Sequence, residues 1–257
     1  MEIISVILKM WLFLLGAVMG SFLCCQMWRV RYKERGKKDL GKRSVCLHCG
    51  YKLRWYDNLP IISWLMLRGK CRKCGKKIGV VEIIMEVGMG LAFLLYGMTT
   101  SDPWWMMMLT LVMVCVLGFL AVYDGKWGEL PTKQLIMAIV MGVVISVVKI
   151  TTGKAEVWSV LAGAGILAGV YYILYIVSHE RLVGGGDWML GLALALALSD
   201  WWLALWVMFL ANAMGSVVAL PKMIKRKRPK IYFGPYLVVA FVIVTILAKS
   251  LTGLICF

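Results

Sequence analysis

Apolar residues fall into eight runs, roughly 3–28, 80–98, 104–123, 132–150, 157–178, 188–199, 201–220 and 235–256, separated by short polar links and one long polar stretch at 29–79. Most runs approach the ~20 residues a helix needs to cross the hydrocarbon core of a bilayer. The pattern predicts an all-α polytopic membrane protein with about eight transmembrane helices. The sixth run, 188–199, is short for a span and requires tilt, local thinning or a re-entrant path. The first run lacks a basic leading segment and a small-residue cleavage site, so it reads as a retained span, not a signal peptide.

Composition agrees with the pattern. Of 257 residues, 61% are apolar and 16% charged, against roughly 45–50% and 25% in soluble domains. A soluble enzyme core, a disulfide-stapled secreted scaffold and a disordered tail are excluded. The formal net charge of +16 is concentrated. Residues 29–79 hold 16 Lys or Arg and three acids, Glu34, Asp39 and Asp57, and a second cluster comprises Lys222, Lys225, Arg226, Lys227, Arg228 and Lys230. Bunched positive charge beside spans marks cytoplasmic loops. With 29–79 inside, alternation puts 124–131 and 179–187 inside, 151–156 and Asp200 outside, and the second basic cluster inside as well, although that cluster did not set the topology. The charge therefore reads as topology and contact with membrane lipids, with no nucleic-acid partner. The expected organisation is a first transmembrane helix at 1–28, a cytoplasmic basic insert at 29–79 and a transmembrane domain at 80–257.

Within the insert stand Cys46-Leu47-His48-Cys49-Gly50 and Cys71-Arg72-Lys73-Cys74-Gly75, 21 residues apart. Paired Cys-x-x-Cys knuckles at this separation match a closed tetrahedral zinc site of four thiolates, which is structural because no position is left for water. A cytoplasmic location disfavours disulfides.

Acids at or within spans are costly and point to function. Asp124 closes the third apolar run and Asp187 opens the sixth after Gly184, Gly185 and Gly186. The topology places both at the cytoplasmic membrane edge and removes Asp102 and Asp200 as partners. Two neighbouring carboxylates share a proton, so one can activate water while the other hydrogen-bonds the carbonyl under attack. The three glycines permit unusual backbone angles and close approach of an extended substrate chain. Taken singly, each aspartate also reads as a helix cap or interfacial anchor.

The ordered set of motifs resembles the type IV prepilin leader peptidases, the Gly-x-Gly-Asp membrane aspartic peptidases. It comprises Gly20-Ser21-Phe22-Leu23; the knuckles enclosing Trp55-Tyr56-Asp57-Asn58-Leu59-Pro60 and Ser63-Trp64-Leu65; Asp124 with Pro131; Gly184-Gly185-Gly186-Asp187; and Phe233-Gly234-Pro235-Tyr236. The resemblance implies catalysis by Asp124 and Asp187, and cleavage of the short basic leader from type IV prepilins or pseudopilins at the cytoplasmic face of the bacterial inner membrane. It also implies N-methylation of the new terminus with S-adenosylmethionine. Two departures, Cys24 where the family usually has Asn and Val81-Glu82-Ile83 where it has Arg-Tyr-Pro, bear on methylation more than on cleavage. Glu86 holds the position of the family's glutamate and is the candidate for cofactor or substrate binding, with a polar contact between helices as the other reading. The rival expectations are a presenilin-like intramembrane aspartic peptidase and a proton-coupled transporter.

Overall fold

The computed structural model describes residues 2–36, 43–178, 184–224 and 232–252, without the side chains of 2–5 and 221–224. Asp39 and, from the second basic cluster, Lys225, Arg226, Lys227, Arg228 and Lys230 lie outside the described residues.

Among the described residues, seven helices are long and apolar enough to cross a membrane. They are α1 (Glu2–Glu34), α3 (Val80–Thr99), α4 (Trp104–Trp127), α5 (Thr132–Thr151), a composite of α6 (Val157–Ala164) and α7 (Val170–Ser178), α9 (Trp201–Ile224) and α10 (Gly234–Thr252). A short helix α2 (Ile62–Met66) lies in the insert. The sixth apolar run becomes α8 (Gly185–Leu198), an apolar helix of only 14 residues. Among the described residues there is no strand, only the isolated bridges Val45 to Lys52 and Lys70 to Lys77. The chain is a helical integral membrane protein.

The chain divides into two compact units, Met1–Met98 and Thr99–Phe257. In the first, α1 and α3 meet through glycine. A Cβ on Gly20 would lie 2.6 Å from the carbonyl oxygen of Met85, and one on Gly16 would collide with that of Met89. In an apolar solvent, helices associate through such close backbone approach, which gives the glycine of the Gly-Ser-Phe-Leu motif a packing role. Helix α1 also outlasts its apolar run, continuing through Arg29, Arg31 and Lys33 to Glu34.

In the second unit, α8 is the central element. Leu190, Ala193, Leu194 and Ala195 are fully buried. Helix α5 lies along α8, and α10 packs on α9 and α4. A Cβ on Gly142 of α5 would stand 2.9 Å from the carbonyl oxygen of Ala193, so glycine permits this approach. Between α6 and α7 the chain makes one wide π turn, Gly165–Gly169. Its Leu167 carbonyl presses on α8, where a Cβ on Gly191 would come within 3.0 Å.

Candidate functional site

Asp124 occupies the last turn of α4, which ends at Gly128 in a left-handed cap with φ 67°. Its side chain is buried. Oδ2 accepts a 3.0 Å hydrogen bond from the backbone N–H of Gly234, the first residue of α10. The first amides of a helix have no partner within it and carry the positive end of the helix dipole, so they suit an anion. The Pro235 that follows fits the first turn because it needs no amide there. The glycine is required: a Cβ at 234 would lie 2.8 Å from Oδ2.

Asp187 is also buried, in the first turn of α8. Its Oδ2 accepts the backbone N–H of Gly184 at 2.9 Å. Each aspartate is thus held by an amide at a helix start. Asp124 and Asp187 also lie near enough for the charge of one to act on the other.

The triple glycine works through closeness and not through unusual backbone angles, which corrects that part of the expectation. None of Gly184, Gly185 and Gly186 has a positive φ. Gly186 instead abuts Leu130, where a Cβ would come within 2.8 Å of Cδ1, and Gly185 abuts the Tyr175 ring. Leu130 belongs to the link between α4 and α5, so the glycines bring the start of α8 against the segment that follows Asp124.

Aromatic rings run along α4 on either side of Asp124 in sequence: Phe119 and Tyr123 stack, and Tyr123 and Trp127 meet at 4.5 Å, tilted by 59°. Tyr171 is buried, its hydroxyl accepts from Asn212 Nδ2 at 3.0 Å, its ring meets Phe233 at 5.3 Å, and Asp187 acts on it electrostatically. Tyr171 and Asn212 carried no signal in the sequence, because both sit within apolar runs.

In the other unit the four cysteines converge. The sulfur atoms of Cys46, Cys49, Cys71 and Cys74 all lie within 4.8 Å of one another, and Cys46 is 3.9 Å from Cys74. A tetrahedral centre with Zn–S bonds of 2.3 Å has an edge of about 3.8 Å, so the cluster fits such an ion. The two knuckles repeat the same hydrogen bonds. Cys46 N–H donates to Tyr51 O and Gly50 N–H to Cys46 O; Cys71 N–H donates to Lys76 O and Gly75 N–H to Cys71 O. Gly50 and Gly75 take φ of 68° and 67°, the left-handed turn that glycine makes at no steric cost. The backbone amides of Cys74 and Lys73 favour the Cys71 thiolate, while desolvation and hydrogen bonds among the neighbouring thiols push the Cys49 thiol up.

Asp57, which reads in sequence as a turn residue, is a buried staple. Its Oδ1 accepts Arg72 Nε at 2.8 Å and its Oδ2 accepts Arg54 N–H at 3.1 Å. Arg72 lies between the two cysteines of the second knuckle, so Asp57 ties the intervening segment to that turn. Glu86 is also engaged within this unit. Its Oε2 accepts the N–H of Ile61 at 2.7 Å, where a β-branched residue is held at φ 63°, a costly conformation.

Two buried acids at the ends of apolar helices, and four thiols placed to hold a metal ion, mark a polytopic membrane protein with built polar sites. Residues 14–100 match the model of the bacterial peptidase A24 N-terminal domain, and residues 111–220 match that of the type IV leader peptidase family. The chain belongs to the type IV leader peptidase family. A prepilin leader peptidase/N-methyltransferase of Myxococcus xanthus is 30% identical over 214 residues, 81% of this chain and 61% of that protein. One from Aeromonas hydrophila is 26% identical over 267 residues, 93% of this chain and 91% of the relative. An Escherichia coli protein named type 4 prepilin-like proteins leader peptide-processing enzyme is 27% identical, covering 86% and 87%. The chain thus spans under two thirds of the Myxococcus relative and nearly all of the Aeromonas one. No solved structure matches it significantly.

Proposed function

We propose that this chain is an aspartic endopeptidase that removes the leader from type IV prepilins or pseudopilins at the cytoplasmic face of the bacterial inner membrane. The electrostatic action of Asp124 on Asp187, 63 residues further along the chain, carries the reading. Two buried carboxylates in mutual reach hold one proton between them. The ionised member takes a proton from water as its oxygen attacks the scissile carbonyl carbon. The protonated member hydrogen-bonds the carbonyl oxygen, and the C–N bond then breaks as the amine leaves with a proton from the pair. The backbone amides of Gly234 and Gly184 fix both carboxylates before substrate arrives. Placement of both acids at helix ends favours this over a proton relay, whose acids belong near the midplane. The presenilin-like alternative has no support from the flanking motifs.

In the same proposal, the four cysteines hold a structural Zn²⁺ that supplies folding energy to the insert and no catalytic water. The names of the relatives also extend the proposal to N-methylation with S-adenosylmethionine. For that reaction Glu86 offers one oxygen, because the other holds Ile61. Purified protein incubated with a prepilin, wild type beside D124N and D187N, tests the peptidase. Intact mass of the processed pilin, with and without added cofactor, tests methylation: a gain of one methylene supports it, and no gain leaves a peptidase alone.

A further inference from the structure

Helix α8 is too short for its place. Its 14 residues rise about 21 Å at 1.5 Å each, against a hydrocarbon core of about 30 Å. A helix of this length ends short of a full crossing, and its last residues Ala197 and Leu198 are buried. The last four carbonyls of a helix lack intrahelical partners, and an unsatisfied carbonyl at such depth is expensive.

All four are satisfied here. The N–H of Ser199, in the left-handed region at φ 58°, donates to Ala195 O at 2.9 Å, and its Oγ donates to Leu196 O at 2.7 Å. The remaining two are taken by one side chain from another helix: Nζ of Lys149 on α5 donates to Ala197 O and to Leu198 O, each at 2.8 Å. A cation at a helix C-terminus also meets the negative end of the dipole. Asp102 and Asp200 lie near enough to act favourably on this ammonium, while nearby Lys154 is paired with Asp102 at 2.6 Å.

This tie bears on register. Helix α5 buries Leu135, Ala138, Gly142, Ile145 and Ser146, and at Gly142 it approaches α8 so closely that a Cβ would stand 2.9 Å from Ala193 O and from Leu196 Cβ. The clamp adds a polar fixed point on named carbonyls at the end of that seam. Helix α5 follows Asp124 after only the short link 128–131, so whatever fixes α8 to α5 also fixes Asp187 relative to Asp124.

We propose that Lys149 is a positioning residue for the acid pair: by clamping the last two carbonyls of α8 to α5, it sets the depth at which Asp187 stands opposite Asp124. This rests on the reading of that pair as catalytic.

The test uses K149M, K149Q and K149R in the full-length chain with a prepilin substrate. K149M is expected to lower kcat about tenfold or more with KM little changed, because a misplacement of about 1 Å can cost 10²-fold; K149R should recover most of the loss. A second readout needs no catalysis. In D187C, the rate at which a water-soluble thiol reagent modifies the introduced cysteine, followed by peptide mass spectrometry, should change when K149M is added and return with K149R. An unchanged labelling rate in D187C/K149M overturns the proposal. So does recovery of only aggregated protein from both K149M and K149Q, which would assign Lys149 to folding alone. If D187N still cleaves while labelling responds to K149M, the catalytic reading fails and the positioning role stands.

Discussion

The backbone N–H of Gly234 reaches across 110 residues of sequence to hold Oδ2 of Asp124 at 3.0 Å. The contact joins the end of one span to the start of another, and it explains why glycine stands before proline there. Any side chain at 234 would press on the carboxylate. In G234A the carboxylate must move or lose its donor. Hydrogen bonds to charged groups are worth about 1.5–3 kcal/mol, so kcat should fall by roughly 10- to 100-fold with the melting temperature in detergent nearly unchanged. Wild-type kcat in G234A would show that this amide does not hold the working carboxylate.

The two aspartates should fail separately. A carboxamide can neither accept the proton from water nor return it, so D124N and D187N should each lose about 10²-fold or more of cleavage while remaining monodisperse and metal-loaded. Either variant retaining above about 10% of wild-type turnover, a difference of ~1.4 kcal/mol, removes its residue from the mechanism.

Metal content is expected at one zinc per chain by elemental analysis. C71S should lower both zinc content and folded yield. Loss of activity on chelation should run parallel to unfolding of the insert, followed by protease sensitivity, because a closed four-thiolate site has no open position for substrate or water. Activity that disappears from an insert still resistant to protease would point to a catalytic metal.

Asp57 predicts a subtler effect in the same unit. It anchors Arg72, the residue next to Cys71. Removing such an outer partner typically weakens metal binding by about 10- to 100-fold. D57N should therefore release zinc faster to a chromophoric chelator while the spans stay folded. Release at the wild-type rate would show that the Asp57–Arg72 pair plays no part in holding the metal.

Topology makes a prediction of its own. An impermeant thiol reagent applied to the outside of cells should reach cysteines introduced beside Lys154 and Asp200 and miss one beside Lys70. External labelling beside Lys70 would reverse the orientation and place the acid pair at the wrong face for leader removal.

Much of this architecture is legible in the sequence because membrane and metal each impose a strong local pattern. Lipid demands long apolar runs, so the spans stand out, and a tetrahedral ion demands paired cysteines, so Cys46, Cys49, Cys71 and Cys74 do too. The aspartates stand out because acids are rare at span ends. What hydropathy misses is the tertiary partner. Nothing near Asp124 in sequence names Gly234, and nothing near Leu198 names Lys149. Asp57 looks like a turn residue because a turn and a buried staple use the same side chain. Helix α1 outruns its apolar stretch to Glu34 because the lipid pattern ends where the bilayer does, while backbone hydrogen bonding continues through Arg29, Arg31 and Lys33. The triple glycine reads in sequence as conformational freedom and room for a substrate chain, whereas in the fold Leu130 and Tyr175 stand where side chains at Gly186 and Gly185 would go.

The π turn at Gly165–Gly169 has a consequence for how the fifth span is built. One additional residue in a helical turn advances the chain by about 100° of azimuth, so the two halves of this span are out of phase. The half before the turn presents Val160 and Gly163 to the bundle, and the half after it presents Tyr171 toward the acid pair. A regular helix of the same composition would aim Tyr171 elsewhere. Shortening Gly165–Gly169 by one residue would turn the second half like a dial while leaving length, hydropathy and membrane insertion almost untouched. The phase of that span can therefore vary without any visible change in its apolar pattern.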